Sequence, residues 1–295
     1  MKSRIANRFR QIVSGSPDGR PGWVKEIDIG SDEGLFGLDS PVWKVHGDIA
    51  TLVGGVRALL LQAAHPAALT GVAEHSRYES DPLGRLAGTS RWLTITTFGS
   101  TEAIERESRR VNEMHKKVVG EYTKKGGDLS PYKASDPRYL LWVHCAFTDS
   151  FLQTHLMFRQ RFKDGDEYVR QWSKSAVGLG LEIAPQSMAD LNDIMDEFSS
   201  AELARSEHTS DVVKFILRPP LGRAPLIFYR FLAKSAVYSL TPIQREILGL
   251  KRVSKAWVVA TGYLLKLLSW TLGKESPSQQ VARERIAKMA KSQIS

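Results

Sequence analysis

The chain has 295 residues, 42% of them hydrophobic and 25% charged, which is an ordinary globular composition and long enough to bury a sizeable core. Its net charge of +9 permits contact with polyanions, but Lys and Arg residues are interspersed with acids and no aromatic-rich basic motif occurs, so nucleic acid is not an expected partner. The single cysteine, Cys145, excludes an intramolecular disulfide and lies in an apolar stretch, where a buried, inert thiol is expected.

The first strong helical pattern begins near residue 40. Asp39 or Ser40 can cap its N-terminus, and Pro41 fits the first helical position. Apolar residues then recur at helical spacing until His65 and Pro66 interrupt them. We expect one helix over this stretch.

Similar signals continue along the chain. Residues 100–127 start with Ser100 or Thr101 as a cap, carry acids in the first turn, and end in lysines and two glycines, as expected for one helix. No segment shows sustained alternation of apolar and polar residues, and no internal repeat is found. The sequence therefore predicts an all-α fold with a single large multi-helix domain. Later helix starts are indicated by Ser135, Pro137, Pro185 and Pro242.

The two ends of the chain differ from its body. Residues 1–30 form a basic segment without the continuous apolar stretch of a secretory signal, residues 31–273 form the helical domain, and residues 274–295 form a polar tail, expected to be mobile or weakly helical. The apolar run over residues 256–270 contains Lys266 and is shorter than the roughly 20 residues that span a bilayer. We expect a cytoplasmic protein in which this run is a core helix or, at most, lies on a membrane surface.

Motif spacing leaves few ways to hold a metal. The chain has no Glu-x-x-His pair, no His-Glu-x-x-His motif, no paired-cysteine zinc pattern and no phosphate-binding glycine motif. A haem needs only one helical histidine, because the porphyrin supplies four iron ligands. His115 is the best placed, since it follows Val111 by four residues and precedes Val118 by three, on the apolar side of its helix. A core histidine satisfied by a buried acid is the alternative and the commoner case.

Other polar residues are candidates for lining a haem pocket together with His115. Arg85 and Thr89 are four residues apart and project from one helical face, where they could hold a propionate or an oxygen species, although a plain salt bridge of Arg85 fits equally well. Three further histidines are candidates for contact with the cofactor, and each also fits a structural role: His65, His75 and His144.

Several motifs in succession resemble one known family. They are LLLQAAHPAALTGVAEHS, DPLGRLAGT, FG, VNEMH and YLLWVHCAFTDSF, spread over roughly residues 33–250. This succession is similar to the family that contains the fungal endoplasmic-reticulum oxygenase MpaB and the bacterial latex-clearing proteins, the rubber oxygenases. The resemblance implies an all-α fold, with a haem enclosed in the globin-like style. It also implies haem b on a helical histidine, dioxygen as co-substrate, and oxidative cleavage of carbon–carbon double bonds in prenyl chains.

Carried onto this sequence, the resemblance assigns roles to particular residues. Arg85 and Thr89 correspond to the arginine and threonine near the haem, and His115 corresponds to the proximal iron ligand. The rubber-cleaving enzymes have a lysine immediately before that threonine, where this chain has Gly88. Their proposed glutamate base has no secure match here. Glu74 and Glu79 are near these residues in the sequence, but neither is assigned to that role.

These observations give one leading hypothesis and two alternatives. The leading hypothesis is a haem-dependent oxygenase-like protein acting on a small apolar molecule or lipid, prenyl or alkene-containing, with His115 as the metal ligand. The first alternative is a haem or lipid carrier or sensor without turnover. The second is a cofactor-free helical protein that binds a partner or makes peripheral contact with a membrane.

Overall fold

The computed structural model describes residues 21–75, 82–273 and 275–292, and the side chains of residues 75 and 82–87 lie outside this description. Most of the described chain is helical, which confirms the predicted fold class. The helices are α1 Val24–Ile27, α2 Pro41–His46, α3 Thr51–Ala63, α4 Pro66–His75, α5 Pro82–Phe98, α6 Thr101–His115, α7 Pro137–Phe158, α8 Gly165–Trp172, α9 Lys174–Val177, α10 Met188–Ala201, α11 Thr209–Leu217, α12 Arg223–Ser239, α13 Pro242–Ile247, α14 Lys255–Leu272 and α15 Pro277–Ser292. Two short strands, β1 Val119–Thr123 and β2 Leu129–Lys133, lie between α6 and α7.

The centre of the core is the packing of α3 against α7, the most extensive helix–helix contact described. Gly54 permits this close approach, because a β-carbon there would lie 2.6 Å from the ring of Phe151 and 2.9 Å from the hydroxyl of Thr154. Helices α11 and α12 also pack on α3. The core that results is rich in large side chains, among them Leu60, Leu61, Trp142, Leu152, Tyr168, Trp172 and Phe198.

The single helix expected from residue 41 to His65 is two helices. Ser40 caps α2 as predicted, since its hydroxyl accepts a hydrogen bond from the Trp43 amide at 3.2 Å. Helix α2 then ends. The side-chain carboxylate of Asp48 accepts a hydrogen bond from the Ala50 amide at 2.9 Å, and a new helix, α3, begins after this turn. Gly47 fits this break, since a side chain there would collide with Gln279 of α15.

The prediction of one helix over residues 100–127 was wrong in its second half. Ser100 caps α6 as expected, accepting the Ala103 amide at 3.2 Å, but the helix ends at His115. The following residues are rich in β-branched and aromatic side chains, which favour a strand over a helix.

The segment after α6 is an antiparallel hairpin, a small two-stranded addition to a fold that is mainly helical as predicted. Val119 pairs with Lys133 and the ladder closes at the glycines of residues 126 and 127, whose φ angles of 117° and 102° favour glycine. Tyr122 and Tyr132 are buried against Ala67 of α4. The hairpin is thus anchored on the helical body.

Proline and serine signals located the later helices with mixed accuracy. Pro242 begins α13 as predicted, behind a capping box formed by Thr241 and Gln244. Asp136, not Ser135, caps α7, by accepting the Arg138 amide at 2.8 Å. Pro185 precedes the start of its helix, which is α10, capped by Ser187.

The C-terminal segment, expected to be mobile or weakly helical, forms α15 and packs on α1. Ala282 and Ile286 enter the core, and Arg285, only 3% exposed, donates a hydrogen bond to the carbonyl of Ile27. Of the predicted basic segment, residues 1–20 lie outside the described residues.

No single helix within residues 21–75, 82–273 and 275–292 is both long and apolar enough to cross a bilayer. One bent pair, Thr51–Ala63 with Pro66–Glu74, reaches that length and composition together, with an angle of 102° between its halves.

Candidate cofactor site

His115 lies where the sequence predicted, on the buried side of the amphipathic α6. The preceding turns bury Ile104, Ser108 and Val111, and His115 continues this face one turn after Val111. Its Nδ1 atom is buried and has no hydrogen-bond partner among the described residues. Burial lowers the pKa of the imidazole, so the ring is neutral at pH 7, and this is the form that ligates a metal.

The commoner alternative for His115 was a core histidine paired with a buried acid. In the described part of the chain, no carboxylate forms an ion pair with His115. The nearby buried acid of α6, Glu107, is instead engaged by two arginines. Its carboxylate accepts from Arg91 of α5 at 2.8 Å and from Arg110 at 2.6 Å. The sequence analysis missed this bridge between α5 and α6, which an acid on a buried helical face could have indicated.

Close contacts fix α6 against the segment that follows α9. Asn112 donates its side-chain amide to the carbonyl of Gly178 at 2.9 Å. A β-carbon at Gly178 would lie 2.7 Å from the hydroxyl of Ser108, so the two backbones approach closely here. Leu141 of α7 packs against a small cluster that includes Ala176 of α9. The buried faces of α6, α7 and α9 therefore meet in one region.

An aromatic cluster fills the interior beside this region. Trp172 is fully buried at the end of α8, and its ring lies 4.3 Å from that of His46 and 5.9 Å from that of Trp92 of α5. His144 of α7 stacks on Trp172 with an angle of 9° between the ring planes, at a centroid distance of 6.5 Å. Thr89 lies on α5 one turn before Trp92 and is partly buried. No sequence motif marked the two tryptophans.

Several polar atoms of this cluster lack partners. Among the described residues, no hydrogen-bond partner is found for Nε2 of His144, Nε1 of Trp92, Nε1 of Trp172 or the hydroxyl of Thr96, although all four are buried. Each such group costs about 1–3 kcal/mol unless a ligand or water satisfies it. Burial also lowers the pKa of His144 to about 4, which keeps its ring neutral. Either a bound molecule or ordered water would satisfy these groups.

His46 is the best satisfied of the histidines in this cluster. Its Nδ1 lies 2.9 Å from the hydroxyl of Thr97, and its Nε2 lies 3.0 Å from the hydroxyl of Tyr168. Burial, with the nearby His155, lowers the pKa of His46 to about 3. Burial likewise raises the pKa of Tyr168 well above its ordinary value, with a further contribution from Asp149. His46 is therefore a neutral structural group and a poor candidate for an iron ligand.

The remaining predicted residues are placed as follows. His65 is fully buried, with Nε2 3.2 Å from a carboxylate oxygen of Glu202, inside a box of Tyr139, Trp142 and Phe198. The side chains of His75 and Arg85, and residue Glu79, lie outside the described residues. Cys145 is buried and free as predicted, and burial followed by the charge of Asp149 raises its thiol pKa to about 12.

The donor set fits a cofactor that needs one protein ligand. No group of three or more His, Cys, Asp or Glu side chains gathers to hold a metal ion in the part of the chain that the structure describes. A haem needs no such group, because its porphyrin supplies four of the iron ligands and a single neutral histidine supplies another. His115, neutral and without a partner at Nδ1, fits this requirement.

The described chain is a mainly helical domain in which His115 ends α6 on its buried side. Residues 43–273 match the family described as ER-bound oxygenase mpaB/B'/Rubber oxygenase, catalytic domain. The chain belongs to this oxygenase family, which confirms the resemblance drawn from its motifs. Neither a curated protein nor a solved structure matches the chain.

Proposed function

We propose that this protein is a haem b-dependent oxygenase that uses dioxygen to oxidise a small apolar molecule with a prenyl or alkene group, and that His115 would hold the haem iron. The observation that supports this most directly is that the buried Nδ1 of His115, on a neutral ring, has no hydrogen-bond partner among the described residues. When bound, haem iron supplies the oxygen-activating redox chemistry, and the protein supplies the ligand, the polarity and the access path.

Other residues of this chain have separate tasks in this proposal. Arg85 neutralises a haem propionate, and Thr89, one turn along α5, offers a hydroxyl donor on the same face. Trp92 and Trp172 exclude water and provide apolar walls, while His144 offers a neutral polar atom to the bound molecules. Contacts of His65 and His75 with the cofactor stay predictions, as does the expected cytoplasmic location with contact to a membrane.

The first test is the absorption spectrum of the purified protein after supplementation with haem. We expect a Soret band that shifts on reduction with dithionite and again with carbon monoxide, and we expect His115→Ala to lose it. His208→Ala is the matched control, because its side chain is 41% exposed on the surface. His144→Ala tests the other neutral buried histidine. If His115→Ala keeps a wild-type haem content, or if only His144→Ala loses the band, the assignment of His115 is wrong.

Gly88 favours one second candidate, a haem or lipid binder without turnover, because the rubber-cleaving relatives have a lysine at this position. Oxygen uptake in the presence of prenyl and alkene substrates distinguishes the two. Uptake above the level of the His115→Ala variant supports the oxygenase, and bound haem without uptake supports the binder. The Gly88→Lys variant adds a sharper comparison, since among the described residues no atom lies within 4 Å of a β-carbon placed at Gly88. If only Gly88→Lys takes up oxygen above the level of His115→Ala, the missing lysine explains why the wild-type protein has no turnover.

A further inference from the structure

The net positive charge of this protein comes from one segment of the chain. Residues 212–274 contain eleven Lys and Arg residues and a single acid, Glu246, a net charge of +10. The whole chain has a net charge of +9, so the remaining residues together are close to neutral. This segment contains α12, α13 and α14. A surface built from it attracts anions over a long range.

Helix α14 exposes an apolar ridge. Val259, Tyr263, Leu267 and Trp270 follow one another at spacings of four, four and three residues, so they lie on one face of the helix. Between 51% and 70% of each is exposed. The opposite face is the buried one, with Val258, Thr261 and Leu265. Four large apolar side chains in a row are more than the scattered exposed residues of an ordinary surface.

Helix α12, which packs beside α14, carries a line of cations. Arg223, Arg230 and Lys234 are exposed at spacings of seven and four residues, with the 59% exposed Ile227 among them. No described carboxylate forms an ion pair with these three cations. The two helices touch, since the hydroxyl of Ser235 donates to that of Thr261 at 2.8 Å and the rings of Phe231 and Trp257 lie 5.2 Å apart. The two helices therefore lie side by side at the surface, with the ridge on the side of α14 that faces away from α12.

Helix α14 contributes two further cations beside its ridge. Lys255 and Lys266 are exposed on the edge of the apolar face, and the ammonium of Lys266 lies 5.7 Å from the ring centre of Tyr263. Neither α12 nor α14 contains an acidic residue. We call the exposed sides of both helices together the α12–α14 surface. It combines the ridge on α14 with the five cations Arg223, Arg230, Lys234, Lys255 and Lys266.

We propose that the α12–α14 surface docks the protein on a lipid bilayer that contains anionic phospholipids. The cations supply attraction to the negative headgroups, while the ridge enters the boundary between headgroups and acyl chains. Tyrosine and tryptophan, both on the ridge, are the residues that favour this boundary. A protein partner or a second copy would bury the ridge equally well, but an acid-free face with five exposed cations would disfavour its own copy by repulsion. The α12–α14 surface and its ligand do not depend on haem, and docking is measurable without it.

The test is flotation of the full-length protein with vesicles of phosphatidylcholine alone or of phosphatidylcholine with about one third phosphatidylserine. We expect binding to the anionic vesicles only, weakening when the salt concentration is raised. In the double variant Arg230→Glu with Lys234→Glu, binding falls by about tenfold or more, since each cation near the membrane contributes measurably. The matched control is Lys124→Glu with Lys163→Glu, which makes the same change in net charge at exposed positions outside the α12–α14 surface and keeps binding.

The ridge needs its own variant, because the charges alone would bind any polyanion. Leu267→Glu should abolish flotation with anionic vesicles, whereas Leu129→Glu, at an exposed position of the hairpin, should not. The proposal is overturned if anionic vesicles do not bind, if both double variants lose binding equally, or if Leu267→Glu binds normally. It is also overturned if light scattering shows an oligomer that Leu267→Glu dissociates and the wild-type protein does not bind vesicles. The ridge would then bind protein. Binding to duplex DNA without binding to vesicles would overturn it in favour of nucleic acid.

Discussion

One buried ion pair joins the two helices at the centre of the core. Arg57 of α3 and Asp149 of α7 are 2% and 9% exposed, and the guanidinium NH1 atom lies 2.6 Å from the carboxylate. The same nitrogen donates to the hydroxyl of Ser150 at 3.0 Å. Arg57→Met keeps the length of the side chain and removes the charge. It leaves Asp149 as a buried carboxylate without its cation.

The cost of this change follows from the burial of both partners. Removing one member of a buried pair typically costs about 3–5 kcal/mol, because the charge that remains is neither solvated nor neutralised. This is a large part of the roughly 5–15 kcal/mol by which native proteins are stable. Replacing both, as Arg57→Met with Asp149→Leu, removes the stranded charge. The double variant should therefore be more stable than either single variant, a strong coupling between the two positions.

Urea denaturation followed by far-ultraviolet circular dichroism measures these free energies of unfolding. The control pair is Lys214 and Asp211, which are 3.0 Å apart and have side chains 77% and 73% exposed. Single replacements of these residues should change stability by no more than about 1 kcal/mol. If Arg57→Met costs no more than the control, or if the two core replacements have additive costs, the reasoning about the buried charge is refuted.

Three further predictions concern single residues. Gly88→Ala should stabilise the protein by about 0.5–1 kcal/mol, because Gly88 lies inside α5 with free space around it; an unchanged or lower melting temperature would contradict this. His46 and His144, with pKa values lowered to about 3 and about 4, are protonated more readily in the unfolded chain, so stability should be constant above pH 7 and fall as the pH drops from about 6.5 towards 4, by at most about 1.4 kcal/mol per pH unit for each histidine. Denaturation at pH 7.5 and pH 5 measures this fall, and equal stability at both would count against neutral buried rings. Cys145 should resist a thiol reagent in the native protein and react at once in urea, and rapid labelling without urea would show that the thiol is not buried.

Local signals in the sequence predicted helix starts well where the signal depends on a side chain and the backbone within a few residues of it. Ser40, Ser100 and Pro242 each occupy the start of a helix as expected, because caps act within three residues of themselves. The hairpin after α6 was missed because lysines and glycines in residues 124–127 also suit a helix C-terminus. Tertiary packing decides between the two, since Tyr122 and Tyr132 are buried on α4. Rules based on neighbouring residues in the sequence cannot predict that contact between the hairpin and α4.

The candidate site divides in the same way. The placement of His115 on an apolar helical face was predicted from its spacing to Val111 and is observed in the structure. The aromatic cluster around Trp172 was beyond prediction, because it brings together residues from α2, α5, α7 and α8. Such contacts depend on the complete fold, and neither tryptophan belongs to a motif that marks it in one sequence.

The hairpin also explains how a histidine whose Nδ1 has no hydrogen-bond partner among the described residues can be held in place. His115 is the last residue of α6, a position that would fray in an isolated helix. Here the chain turns directly into β1, and Tyr132 of the hairpin packs so closely on α4 that a side chain at Gly71 would collide with it. At its other end α6 is fixed by the Ser100 cap. The backbone of His115 is thus fixed from both sides, while its ring makes no hydrogen bond through Nδ1 that a metal would have to displace. An imidazole oriented by its backbone, rather than by an acid, is preorganised for a ligand that arrives later.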